Sequence, residues 1–121
     1  MSGGVLVVED DEDILENVRL LLVSEGFRVD VALNGRAALD ALVHADPLPR
    51  IILLDLNMPV MNGFAFRKAQ LADPRIAAVP IVLMTADGHL IEKTARLGAA
   101  SALRKPFDID DLVRVVGRFA K

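Results

Sequence analysis

The sequence predicts an α/β fold, a (βα)5 unit built on a doubly wound five-stranded parallel sheet, and three observations predict it. Short apolar runs alternate five times with segments of helical period. Three of the runs, Val5–Val8, Ile51–Leu54 and Ile81–Met84, are unbroken rather than alternating, as expected of strands covered by helices on both faces. The 121 residues hold neither a long linker nor a low-complexity tract, so residues 1–121 read as a single domain with residues 1–4 as a flexible start.

Each element has its own signal. After the strand Val5–Val8, the residues Ile14, Val18, Leu21 and Leu22 form one helical stripe that Gly26 stops. Asp11, Glu12 and Asp13 fall in the first turn of that helix, where carboxylates interact favourably with the positive end of the helix dipole. A second strand, Val29–Ala32, leads to Asn34, an N-cap for a helix through Ala37, Ala38, Ala41 and Leu42. Asn62 and Gly63 open a third helix carrying Phe64, Phe66 and Leu71, which ends before Pro74. The fourth carries Leu90, Ile91, Ala95 and Leu97 and stops at Gly98. Ser101–Arg104 is the fifth strand, and Asp108 caps a last helix with Ile109, Leu112, Val113 and Val116 at helical spacing.

Composition excludes several function classes. A formal net charge of −3 argues against a nucleic-acid surface. No apolar stretch approaches the roughly 18 residues of a membrane span, and the start lacks a secretory signal. A soluble cytoplasmic protein is expected, consistent with the absence of cysteine. His44 and His89 read as surface residues, because neither has the helix-bundle setting of a phosphodonor histidine.

The strand ends carry the chemistry. Right-handed crossovers bring the carboxyl ends of parallel strands together, and ligands bind there. Here those ends supply Glu9 and Asp10, Asp55, Thr85, and Lys105 followed by Pro106. Carboxylates a few ångströms apart repel one another, so a divalent cation, with Mg2+ the best match, or the Lys105 ammonium must offset them. Asp55 is the natural nucleophile, since a carboxylate can attack phosphorus and hold it as an acyl phosphate. The Thr85 hydroxyl and a nearby backbone N–H would bind a phosphoryl oxygen. Singly, each residue has a plain structural explanation, but four strand ends carrying matching groups do not.

Four stretches in order, Val7-Val8-Glu9-Asp10-Asp11, Leu54-Asp55-Leu56-Asn57-Met58-Pro59 with Gly63, Thr85-Ala86, and Lys105-Pro106-Phe107, make the chain resemble a response-regulator receiver domain of two-component signalling. The resemblance implies a flavodoxin-like sheet of order 2-1-3-4-5. It implies that Asp55 accepts a phosphoryl group from the phosphohistidine of a histidine kinase or phosphotransfer protein, or from a small acyl phosphate. Asp10, Asp55 and the backbone carbonyl of Asn57 would bind Mg2+, with Mn2+ able to substitute, and Glu9 would act largely through water. Lys105, followed by a cis proline, would bridge Asp55 and the phosphoryl group, while Thr85 and the Ala86 N–H would bind its oxygens. Asn57 and Asp87 occupy the positions that tune hydrolysis, and their pairing resembles members with a short-lived phosphoryl state. Such a domain is a phosphoacceptor that assists its own phosphorylation and dephosphorylation, not an enzyme acting on other substrates. It signals to an output protein or domain through the 85–118 face, without direct contact with nucleic acid or membrane.

Two departures fall on that face. Ala102 stands where many relatives carry Tyr or Phe, and the span from Thr85 to Gly98 is short, which predicts a trimmed fourth helix. Ala102 keeps open a second reading, a phosphorylation-independent adapter on the same scaffold. A haloacid-dehalogenase-type phosphatase would place a second Asp where Asn57 stands. A flavin-binding module would offer a hydroxyl-rich first loop and stacking aromatics; this loop is acidic, and the only aromatics are five Phe.

Overall fold

The computed structural model describes residues 4–86 and 88–120. In chain order they form β1 (Val5–Val8), α1 (Glu12–Ser24), β2 (Val29–Ala32), α2 (Gly35–His44), β3 (Ile51–Asp55), α3 (Gly63–Leu71), β4 (Ile81–Thr85), α4 (Leu90–Leu97), β5 (Ser101–Arg104) and α5 (Ile109–Ala120). All strand pairs are parallel, and the order is β2-β1-β3-β4-β5. The three unbroken apolar runs become the interior strands, buried along their whole length. The two weaker patterns become the edges. An edge strand is covered less completely, so β2 tolerates the exposed Asp30 and Val31.

Alternate residues of each strand feed opposite core layers. Val5, Val7, Ile51 and Leu53 pack beneath α1 and α5 against Leu15, Leu22, Leu112 and Val116. Leu6, Val8, Ile52 and Leu54 pack beneath α2 and α3 against Ala38, Leu42 and Phe66. A smaller cluster of Leu56, Leu83 and Leu97 seats α4 beside Ala102. No helix among the described residues is long and apolar enough to cross a membrane.

The helix starts follow the caps read in the sequence, with one refinement. Asp11 is the N-cap of α1 rather than part of its first turn: its carboxylate accepts from the N–H groups of Asp13 (3.0 Å) and Ile14 (3.2 Å). Asn34, Asn62 and Asp108 accept in the same way from Ala37, Ala65 and Asp111. The buried stripe of α1 is Leu15, Val18 and Leu22; Ile14 and Leu21 flank it and are only partly buried. In α4, Ile91 points outward and is 86% exposed, because eight residues give one apolar edge and Leu90 and Leu97 occupy it.

The two ends of α4 differ sharply. His89 enters it in the left-handed conformation with no side-chain cap, and Gly98 leaves it at φ 67°. At the exit, Arg67 of α3 donates to the carbonyls of Leu97 (2.8 Å) and Gly98 (3.1 Å) and to Gln70 Oε1 (2.7 Å). The buried Gln70 amide in turn donates to the carbonyls of Ile76 (3.0 Å) and Val79 (2.9 Å). Arg96 also lies 4.4 Å over the Phe64 ring. The exit of α4 is therefore pinned to α3, whereas its entry depends on the loop leaving β4.

Because Gln70 satisfies two buried carbonyls at once, Gln70→Leu should lower unfolding stability by about 2–3 kcal/mol in urea denaturation. A loss below about 0.5 kcal/mol would contradict the network's role.

Candidate functional site

The parallel register sets the strand ends level. Val8 lies opposite Leu54, Asp55 opposite Met84, and Thr85 opposite Arg104. β3 and β4 each run one residue beyond their apolar stretches, to Asp55 and Thr85, because those residues still pair in the sheet. Backbone bonds carry the pattern into the loops: Glu9 N–H donates to Ala32 O (3.0 Å), and Lys105 N–H donates to Thr85 O (2.9 Å). Glu9 and Lys105 are thereby held on backbone as fixed as the strands themselves. On the β3 side, Gly63 N–H donates to Leu56 O, and a Cβ on Gly63 would meet Asp55 O at 2.8 Å. Only glycine lets α3 start this close to the end of β3.

One oxygen from each of Glu9, Asp10 and Asp55 lies within 4.8 Å of the other two. Glu9 is 1% exposed, Asp55 5% and Thr85 1%, while Asp10 opens to solvent. The Lys105 ammonium lies 2.5 Å from Glu9 Oε2 and 3.6 Å from Asp55 Oδ1. It is thus a bridge between two carboxylates, held most closely by Glu9, whose other oxygen accepts from the Asp11 N–H (3.3 Å).

The electrostatic result is visible at Asp55. Burial, followed by the neighbouring Glu9 charge, pushes its carboxyl up to about 6; Asp10 adds to the rise, and Lys105 and the Asn57 N–H oppose it. One ammonium does not balance three carboxylates, two of which are buried. The cluster consists of hard oxygen donors around unneutralised negative charge and can hold a metal ion such as Mg2+.

The remaining expected residues are distributed around this centre. Asn57 is exposed beside Asp55. Ala86, exposed, lines with Lys105, Pro106, Phe107 and α1 residues a cleft of about 450 Å³ next to the crevice. The Lys105–Pro106 bond is cis. Ala102 lies farther off, half-buried, on a groove of about 370 Å³ against α4. Asp87 and residues 1–3, named above, lie outside the described residues. The sequence did not disclose that Glu9 would be Lys105's nearest partner, because the two are far apart in the chain and side-chain reach sets the distance. Nor did it disclose Arg67 and Gln70; their spacing of three on one helix was the only available signal.

Comparisons with known proteins give the family and the fold. The response regulator receiver domain family matches residues 5–117. Response regulator Rre1 of Synechocystis is 34% identical over 93% of this chain, and response regulator PleD of Caulobacter vibrioides is 41% identical over 89%. The chain spans only 49% of Rre1 and 24% of PleD. The chemotaxis protein CheY4 of Vibrio cholerae superimposes with a TM-score of 0.87 at 32% identity, covering 98% of this chain and 99% of that one. A receiver domain of a Syntrophus aciditrophicus histidine kinase does so at 0.85 and 28%, covering 97% and 89%. On its sequence, its strand order and its acidic strand-end crevice, the chain belongs to the response-regulator receiver domains of two-component signalling.

Proposed function

We propose that this domain is a phosphoacceptor switch in which Asp55 takes a phosphoryl group from the phosphohistidine of a kinase or phosphotransfer protein, or from a small acyl phosphate. The observation that carries this reading is the unbalanced crevice: a buried carboxylate facing two others and a single ammonium. In the transfer, an Asp55 oxygen attacks phosphorus, the P–N bond to the donor imidazole breaks, and its electron pair leaves with the imidazole nitrogen. The acceptor thereby becomes an acyl phosphate.

Asp10, Asp55 and the Asn57 carbonyl would hold Mg2+, with Glu9 contributing through water; when bound, the ion supplies positive charge against the phosphoryl oxygens. Lys105 has a double task. At rest it shields Glu9 from Asp55, and on phosphorylation it is already placed to pair with an incoming oxygen. The Thr85 hydroxyl and the Ala86 N–H serve the other oxygens, while Asn57 and Asp87 control access of the hydrolysing water.

The readout differs from an aromatic rotor. With Ala102 in that position, the short α4 carries the response. Its exit is pinned by Arg67, and its entry at His89 has neither a side-chain cap nor a favourable backbone conformation. A pull on the Thr85 loop would therefore tilt the entry of α4 about its exit and reshape the groove at Ala102. A histidine kinase supplies the phosphoryl group, and an output protein or domain reads this face; a cytoplasmic location suits both.

Incubation with Mg2+ and an acyl phosphate should add the mass of one phosphoryl group to the wild type and none to Asp55→Asn by intact-mass measurement; labelling of the variant, or none of the wild type, would overturn the assignment.

A stability test follows from the raised Asp55 pKa. A carboxyl that holds its proton more tightly folded than unfolded contributes stability below about pH 4, and that stability is lost as pH rises through about 6. In metal-free buffer, Asp55→Asn should therefore melt several degrees above wild type near pH 8, with the gap closing toward about pH 4. A gap independent of pH would contradict the electrostatic account.

Lys105→Ala removes the cation that competes for the same carboxylates, so calorimetric titration should find Mg2+ bound more tightly than by wild type, even though the variant is less stable. Weaker Mg2+ binding would count against the pairing described.

A further inference from the structure

At the opposite pole of the sheet, where β3 and β4 begin, a cleft of about 430 Å³ lies between the turn before β3, the segment before β4 and the last turn of α5. Arg50, Arg75 and Arg118 line it, and no Asp or Glu does. Among the described residues, none of the three guanidinium groups is paired with a carboxylate. Two of them have evident structural work. Arg75 donates through Nη1 and Nη2 to the carbonyls of Leu42 and Ala45 at the end of α2. Arg118 lies in the last turn of α5, where a cation opposes the helix dipole. Neither task consumes the donors: a guanidinium has five N–H groups, and the carbonyls take two of Arg75's.

Three guanidinium groups in one cleft, none ion-paired among the described residues, stand out in a chain whose net charge is −3. Carbonyl anchoring fixes Arg75 in place, so its remaining N–H groups are pre-oriented. The rest of the wall is apolar and includes Pro49, Pro80 and Phe119. A volume of this size lies within the range of small-ligand sites, and planar guanidinium forks match phosphate oxygens two at a time.

We propose that this cleft binds a phosphate-bearing small ligand with a flat aromatic ring, of the nucleoside diphosphate class, its phosphates on the three arginines and its ring face against Phe119 and the two prolines. The assignment is independent of the phosphoacceptor reading, since it lies at the other end of the sheet and shares no residue with the crevice. Ligand binding there would touch the start of β3 and β4, the two strands that end in Asp55 and Thr85.

The test is an amide chemical-shift titration of the whole chain in Mg2+-free buffer, with ADP, inorganic pyrophosphate, sodium sulfate at matched ionic strength, and a hexaglutamate peptide. The expected result is saturable shifts at Arg50, Val79 and Phe119 with ADP, weaker binding of pyrophosphate, and no saturation with sulfate. Arg50→Gln and Arg118→Gln, both at exposed positions, should each weaken ADP binding about tenfold while leaving Asp55 phosphorylation by acyl phosphate unchanged. Four outcomes would overturn the proposal: no saturable shifts with ADP, an equal response to sulfate, pyrophosphate binding as tightly as ADP, or hexaglutamate binding more tightly than either. The last would reassign the cleft to an acidic peptide.

Discussion

Three clustered carboxylates, two of them buried, with one ammonium between those two, is the constraint on which the rest of this molecule turns. The parallel sheet creates it by ending β1, β3, β4 and β5 at one level, and backbone bonds that continue the ladder hold the main chain of Glu9 and Lys105 at that level. Lys105 settles between Glu9 and Asp55, yet burial, followed by the Glu9 charge, still holds the Asp55 carboxyl above its usual range. The residual negative charge is what invites a divalent cation, and an anionic phosphoryl group would depend on that cation and on Lys105 for its own neutralisation.

The same constraint explains where stability and function part. The two core layers are built from residues whose only task is packing: β1, β3 and β4 contribute alternate apolar side chains to each face, and capped helices close over them. At the carboxyl ends this economy stops. Gly63 gives up a side chain so that α3 can approach Asp55, and α4 is short, weakly capped at its entry and held mainly at its exit. The entry of α4, which has no side-chain cap, adjoins the site where charge would arrive. That is the expected place for an element that moves, since motion is drawn from segments with few stabilising contacts.

Much of this was legible in the sequence for identifiable reasons. Unbroken apolar runs such as Ile51–Leu54 have a simple physical cause, coverage on both faces, and they marked the interior strands and hence the strand ends. Asn34, Asn62 and Asp108 are caps whose function is local, so a sequence displays them directly. What the sequence could not display depends on distances between remote side chains. Lys105 and Glu9 both stood out as site residues, yet their 2.5 Å contact follows from the depth of burial of Glu9. Likewise, a stripe drawn through Ile14 and Leu21 misses Leu15, because the direction from which α1 is covered is set by α5 and the sheet rather than by α1 itself.

Whether the crevice holds more negative charge than Lys105 offsets is read from the titration of the Asp55 side-chain carboxyl carbon by NMR, with and without Mg2+. In metal-free buffer the Asp55 carboxyl should titrate at about 6, and well below that value when Mg2+ is added. An ordinary carboxylate value near 4 that does not respond to Mg2+ would contradict it.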